Sequence, residues 1–454
     1  MAGKSCRCLL LFTLVAIGLG SVTTYAGNNP AGVKIDADGV LRKKEYDDPG
    51  GALTLKRIRE AKIKLPPDLA RLSKLRKISL NRLEKAIAAR LAAGEFETDD
   101  MKYLAGLTQI QYVFFYPESN DIVIAGPAEG YVVDLADRVI GIHSGSSVLE
   151  LQDLVVALRA FPPSRERTPL ISVSIDPTRE GLARMQHFLA NLGRITPRDA
   201  ERIAIGLRES LGMQNVSVNG ISAETHFAQV LVEADYRMKL IGIGLERPEV
   251  NIRSYVSRAN PRDVARNAML RWFFVPNYER LRVSDDEFAM ELVGEGVKLS
   301  GVDEVVNTDG VRVEGRRTDR AAQAFVQEFT KKYPALAVAE PIYAQLRNLM
   351  DMAITAAFIQ EQDYYGQADW HLGVLADESQ FPVETYTAPK HVESAVNVYW
   401  KRSTLMTPIG GGVNIQPRQA LNPERILSDE GGKLSDTRKG LKVEGLADGQ
   451  WWWD

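Results

Sequence analysis

The chain has 454 residues, 45% of them apolar and 25% charged, with a formal net charge of −3; this balance belongs to an ordinary globular protein with room for two or three cores, not to a disordered or fibrous one. Its two cysteines, Cys6 and Cys8, stand near the start, so the body of the chain has no disulfide, thiol nucleophile or cysteine-ligated metal. Charge is uneven: residues 54–92 hold twelve Lys or Arg against three acids, a net of +9, which leaves −12 for the rest.

Residues 1–26, MAGKSCRCLLLFTLVAIGLGSVTTYA, have the grammar of an export signal: Lys4 and Arg7 as the positive head, an apolar stretch from Leu9 to Val22, and the small-x-small Thr24-Tyr25-Ala26. The apolar stretch is short for a membrane span of about 20 residues. The expectation is an exported protein, periplasmic or extracellular, that is not an integral membrane protein once the signal is cleaved. Residues 27–106 then form an N-terminal unit. IDADGVL and DDPGG mark turns around a short strand or hairpin, and the basic 54–92 segment turns helical. Ser79 is a candidate N-cap for a helix that lines up Leu80, Leu83, Ile87 and Leu91 and stops at Gly94.

From Thr108 the period changes to that of strands. IQYVFFYP, NDIVIAGP, GYVVDL and RVIGIHSG are short β-branched or aromatic runs between turn residues, an antiparallel meander. SVLELQDLVVALRAF reads as a helix and LISVSI as a buried strand. At SIDPTREG, Asp176 is the expected cap of the next helix, with Pro177 in its first turn and Glu180 at its positive end. A second block, RWFFVP, RLRVS, FAMELVG and GVKLSG followed by TDRAAQAFVQEFTKKY, echoes the first. IYAQLRNLMDMAITAAFIQ (342–360) is apolar on most sides and reads as a central buried helix, in which Arg347 and Asp351 are spaced to pair. From about Leu421 the composition is polar and Gly-rich, a flexible tail ending in QWWWD.

The densest group of candidate catalytic residues is LVEADYRMKLIGIGL (231–245). Phe227, Val230, Leu231, Ala234, Met238, Ile241 and Leu245 recur at helical spacing as a core stripe. Glu233 and Arg237 stand four apart, as do Asp235 and Lys239, each with the acid first, which favours pairing. Glu233 and Asp235 are the candidate general bases and Arg237 the candidate anion-binding group, against the plainer expectation of a solvated or structurally paired helix face.

Other motifs carry less. GIHSG (141–145) lacks the hydrolase elbow's glycine two places before Ser144, where Ile142 stands, so it reads as a turn. The histidines, His143, His187, His226, His371 and His391, are scattered, with none three or four positions from another, and no metal or cofactor is expected. IGGGVN (409–414) has no following Lys-Ser/Thr and is a turn into a strand. DRVIGIHSGSSVLELQDLVVALRAF has the shape of the last hairpin and helix of a PDZ peptide-binding domain, without the carboxylate-cradling glycine loop. Trp451 to Trp453 read as a sticker for a groove of this chain or of a partner.

The segments GPAEGYVVD, VLELQDLVVALR, SIDPTREGLARMQ, VLVEADYRMKLIGIGLE, LRNLMDMAITAAFI and GGGVNIQ, in this order, resemble domain of unknown function 1598, a family of exported bacterial proteins. The resemblance runs from about Gly32 to Pro417. It implies export and one recurring architecture, and it brings no activity, substrate or catalytic residue.

These readings combine into an α+β fold: two antiparallel β-meander plus helix units, 107–250 and 251–418, behind the N-terminal helical segment (27–106) and ahead of a flexible tail (419–454). The expected function is a non-catalytic envelope binding or scaffold protein that meets an extracytoplasmic protein or an anionic envelope component through its basic segment 54–92. A carboxylate-dependent hydrolase of an envelope polymer or peptide and a PDZ-like peptide binder are the alternatives. Nucleic acid is not an expected partner, since the body is acidic and export removes the protein from the genome.

Overall fold

The β-branched and aromatic runs form strands, gathered into two large sheets and two two-stranded ones in a computed structural model that describes residues 31–454 apart from 165–167, 194–195, 260–267, 278–280, 295, 307–311, 315–318, 398, 402–403, 407–410, 442, 444–445 and 448. The expected signal and both cysteines lie outside the described residues. The larger sheet runs in the order Ala31–Ile35, Val40–Glu45, His391–Glu393, Met213–Asn219, Ile171–Pro177, Gly411–Ile415, Ala268–Pro276, Val297–Val306 and Arg312–Glu314. The smaller runs Leu427–Ser428, Leu281–Val283, Ala289–Leu292, Tyr112–Tyr116, Asp121–Ala128, Ser73–Ser79 and Trp452–Trp453. Most neighbours are antiparallel, with Trp272 to Phe274 pairing in parallel to Gly411 to Val413. The fold is α+β.

The strands of the two expected meander units interleave. Val113 stands opposite Met290 in the smaller sheet, and Val173 opposite Val413 in the larger, so each of these two large sheets draws on both halves of the chain. Residues 419–454, expected as a flexible tail, supply an edge strand at each end of the smaller sheet.

The helices of eight residues or more among the described residues are α1 (Ala52–Lys64), α2 (Leu80–Ala92), α3 (Leu151–Ala160), α4 (Arg179–Ala190), α5 (Ala200–Leu211), α6 (His226–Gly242), α7 (Arg320–Ala339), α8 (Pro341–Glu361) and α9 (Lys433–Gly440). Ser79 caps α2 as its sequence suggests, accepting from the Arg82 amide. At α4 the cap is Thr178, whose hydroxyl accepts from Gly181 N at 3.0 Å. Asp176 stays in the preceding strand, where Arg271 Nη2 donates to its carboxylate at 3.1 Å; a carboxylate engaged by a guanidinium across the sheet does not turn back to cap.

Helix α8 is buried without interruption from Ile342 to Ile359, as expected of a helix apolar on most sides. It packs against α3, α6 and α7. Helix α6 lies between α8 and the larger sheet, touching the Ile171–Pro177 and Gly411–Ile415 strands. At Gly242 the helix comes close to the sheet: a Cβ there would stand 2.3 Å from the Trp272 ring. Helix α3 is itself covered by α8 and α6 and buried along most of its length. No helix among the described residues is long and apolar enough to cross a membrane.

Candidate functional site: the polar groups of the central helix

Fourteen of the seventeen residues of α6 are buried, Glu233, Asp235, Arg237 and Lys239 among them. The sequence spacing correctly pairs Asp235 with Lys239, 2.9 Å apart, and sets Glu233 beside Arg237 at 3.8 Å. A face exposed to water, the other half of that expectation, does not form. Elements far along the chain cover it and bring their own charges.

Glu233 and Arg237 belong to one buried network. Arg138 donates to Glu233. Arg237 donates through Nε to Glu246 at 2.8 Å and through Nη2 to Glu340 at 2.5 Å, and Lys43 reaches Glu246 at 3.3 Å from the surface side. Three cations face three carboxylates, so the set is formally neutral. Burial works against the charge of Arg237, but Glu340 and Glu246 hold its pKa above the ordinary arginine value. Burial pushes the Glu340 carboxyl up, with Arg237 drawing it back. A closed set of this kind orders the interior; each carboxylate oxygen it engages is unavailable as a base.

Asp235 points to a different neighbourhood, between α6 and the larger sheet. Burial lifts its pKa to about 6, against the pull of Lys239. Burial also lowers the Lys239 ammonium, with Asp235 opposing. Lys239 donates to the Ile175 carbonyl at 2.9 Å and borders a small pocket lined by Gln214, Tyr236, Leu240 and Trp272. The structure therefore joins Glu233 to Arg237 and separates both from Asp235; the three candidates do not converge on one cleft.

A third cluster, absent from the sequence-based candidates, forms where the first turns of α3 and α6 meet. His226 Nδ1 lies 2.9 Å from Asp153 Oδ2, and Nε2 lies 3.9 Å from Glu150 Oε1. Gln152 Nε2 donates to Glu150 Oε2 at 2.7 Å and reaches the Tyr386 hydroxyl at 3.3 Å. Tyr386 in turn donates to Glu384 at 3.0 Å. Burial opposes the charge on His226, but Asp153 and Glu150 raise its pKa to about 10; Glu150 is itself raised by burial. The only sequence signal here is the pair of acids three apart at a helix start, and nothing in the spacing links them to a histidine more than seventy positions away.

The GIHSG turn is held by Glu129. Its carboxylate accepts from the backbone amides of His143, at 2.6 Å, and Ser144, and from the Ser144 hydroxyl. This is turn chemistry, as the spacing indicates.

No curated protein and no solved structure matches the chain. Residues 173–255, the stretch that carries α6 and all of its charges, match the family described as Protein of unknown function (DUF1598), the family that the motifs of the chain resemble.

Proposed function

We propose that this chain is an exported, non-catalytic binding protein whose basic segment docks on an anionic lipid surface of the cell envelope. The observation that carries the reading is the outer face of α1. Lys56, Arg59 and Ile63 follow one another at spacings of three and four on the side away from buried Thr54 and Ile58. Ile63 is 85% exposed, Leu53 48% and Leu55 37%, with Lys62 and Lys64 also in solvent. Leu72 adds a further exposed apolar side chain at 63%. Apolar side chains standing out between lysines and arginines suit the boundary between headgroups and acyl chains, where each basic residue adds about 1 kcal/mol on an anionic membrane. The hydrolase alternative built on Glu233 and Asp235 has less behind it, because both carboxylates are engaged in buried ion pairs.

The test is cosedimentation of the full chain with vesicles of phosphatidylglycerol and phosphatidylcholine at low and high salt. The expected result is binding that needs the anionic lipid, weakens with salt and falls at least tenfold when Lys56, Arg59, Lys62 and Lys64 are all changed to Gln. Equal binding by the quadruple variant, or no binding to anionic vesicles, removes the reading.

A further inference from the structure

The cluster at the starts of α3 and α6 has the composition of a metal site. We propose that Glu150, Asp153 and His226 bind a first-row divalent transition metal of the zinc type. One donor atom from each residue lies within 4.8 Å of the other two. Two donors held by one zinc ion at about 2.0–2.2 Å stand roughly 3.3–3.6 Å apart, so shifts of about 1 Å close the set.

A second observation points to a cation ligand. Asp153 is only 4% exposed, and its Oδ1 has no hydrogen-bond partner among the described residues. This oxygen belongs to the same carboxylate whose Oδ2 meets His226, so it borders the cluster. A buried carboxylate oxygen without a donor is costly, and a metal ion supplies what no donor does. The surrounding groups act as ligand supports: Gln152 orients Glu150 by donating to its other oxygen, and Tyr386 stands against the His226 ring with centroids 5.7 Å apart.

Charge agrees with this assignment. Glu150, Asp153 and Glu384 bring three formal negative charges, more than a charged His226 and two helix starts of about half a positive charge each offset. An imidazole in the donor set selects zinc, iron or nickel over magnesium and calcium, which take oxygen ligands. With three protein donors, a zinc ion keeps a fourth position. Glu384 on the rim is exposed and gives ions a route from solvent.

The experiment is calorimetric titration of the metal-free full chain with Zn2+, repeated with Mg2+ and Ca2+, on the wild type and on the variants His226→Ala and Glu150→Gln. The expected result is one Zn2+ bound per chain, affinity at least tenfold weaker in each variant, little response to Mg2+ or Ca2+, and a Tm raised by Zn2+ in the wild type alone. Circular dichroism identifies any variant that fails to fold; Glu150→Gln keeps the side-chain volume and stands in if His226→Ala does. Absence of Zn2+ binding, binding undiminished in a folded variant, or preference for Ca2+ or Mg2+ overturns the proposal. None of these outcomes depends on lipid binding by α1.

Discussion

Arg237 engages Glu246 and Glu340 by direct hydrogen bonds and has Glu233 within 3.8 Å, all under cover of protein. Removing one partner of a buried ionic set leaves the others charged and dry, which costs about 3–5 kcal/mol. Arg237→Met is expected to lower unfolding free energy by that amount in urea titration. Adding Glu340→Gln should return part of it, because the two sites share a partner; a loss below about 1 kcal/mol would show that water reaches the network. Gly242 makes an opposite case at the other end of α6. Gly→Ala inside a helix ordinarily stabilises by roughly 0.5–1 kcal/mol. Here the new methyl meets the Trp272 ring at 2.3 Å, so Gly242→Ala is expected to cost roughly 1–3 kcal/mol by overpacking. Of all this, only the pairs four apart are legible in the sequence. Arg138, Glu246 and Glu340 arrive through the fold, and no local pattern announces them or the burial they bring.

At the scale of elements, the Trp452–Trp453 strand closes one edge of the smaller sheet. Trp452 stands opposite Ile78 and Trp453 opposite Lys77, while Ser79 N donates to the Trp451 carbonyl at 2.9 Å. The fully buried Arg76 guanidinium donates to both carboxylate oxygens of Asp454, at 2.9 and 3.1 Å. It also donates to the Ala105 carbonyl at 2.6 Å and lies 4.6 Å from the Trp452 ring. Burial alone would raise the Asp454 carboxyl, but hydrogen bonds from Arg76 and Arg71 hold it well below the usual carboxylate range. A folded pKa below the unfolded one means that this contact stabilises above pH ~4 and loses its effect as pH falls below that. Protection factors for amide exchange at Lys77 to Ser79, taken relative to the intrinsic rate at each pH, should therefore fall from pH 4 downward, and less steeply in Asp454→Asn; equal slopes would count against the clasp. Deleting 451–454 is expected to cost about 3 kcal/mol, since Arg76 stays buried without its carboxylate, and to expose a strand edge that promotes aggregation. The sequence shows three tryptophans that need cover, but their seat on the Ser73–Ser79 strand depends on pairing across more than 370 positions.

At the scale of the whole molecule, local signals and long-range ones separate cleanly. The strand runs after Thr108, the Ser79 cap and the apolar helix at 342–360 are legible because each depends on neighbours within a turn or two. The division at 250 follows from the repeated order of elements, a local signal that carries no information on which strands pair. Pairing links 112–116 to 289–292 and 171–177 to 411–415, and α8 fills the space against α3 and α6 from the opposite half. The halves accordingly lack separate cores: residues 107–250 alone would leave the α8-facing sides of α3 and α6 in water and two sheets with open edges. That fragment is expected to show no cooperative unfolding transition and rapid proteolysis, whereas coexpression with 251–454 should restore protection to Val113, Val173 and the body of α6. Hydrogen exchange on the fragment, the mixture and the full chain decides it. A cooperatively folded, protease-resistant 107–250 would mean that the interleaved strands contribute little, and that the repeat of meander and helix marks real domains after all.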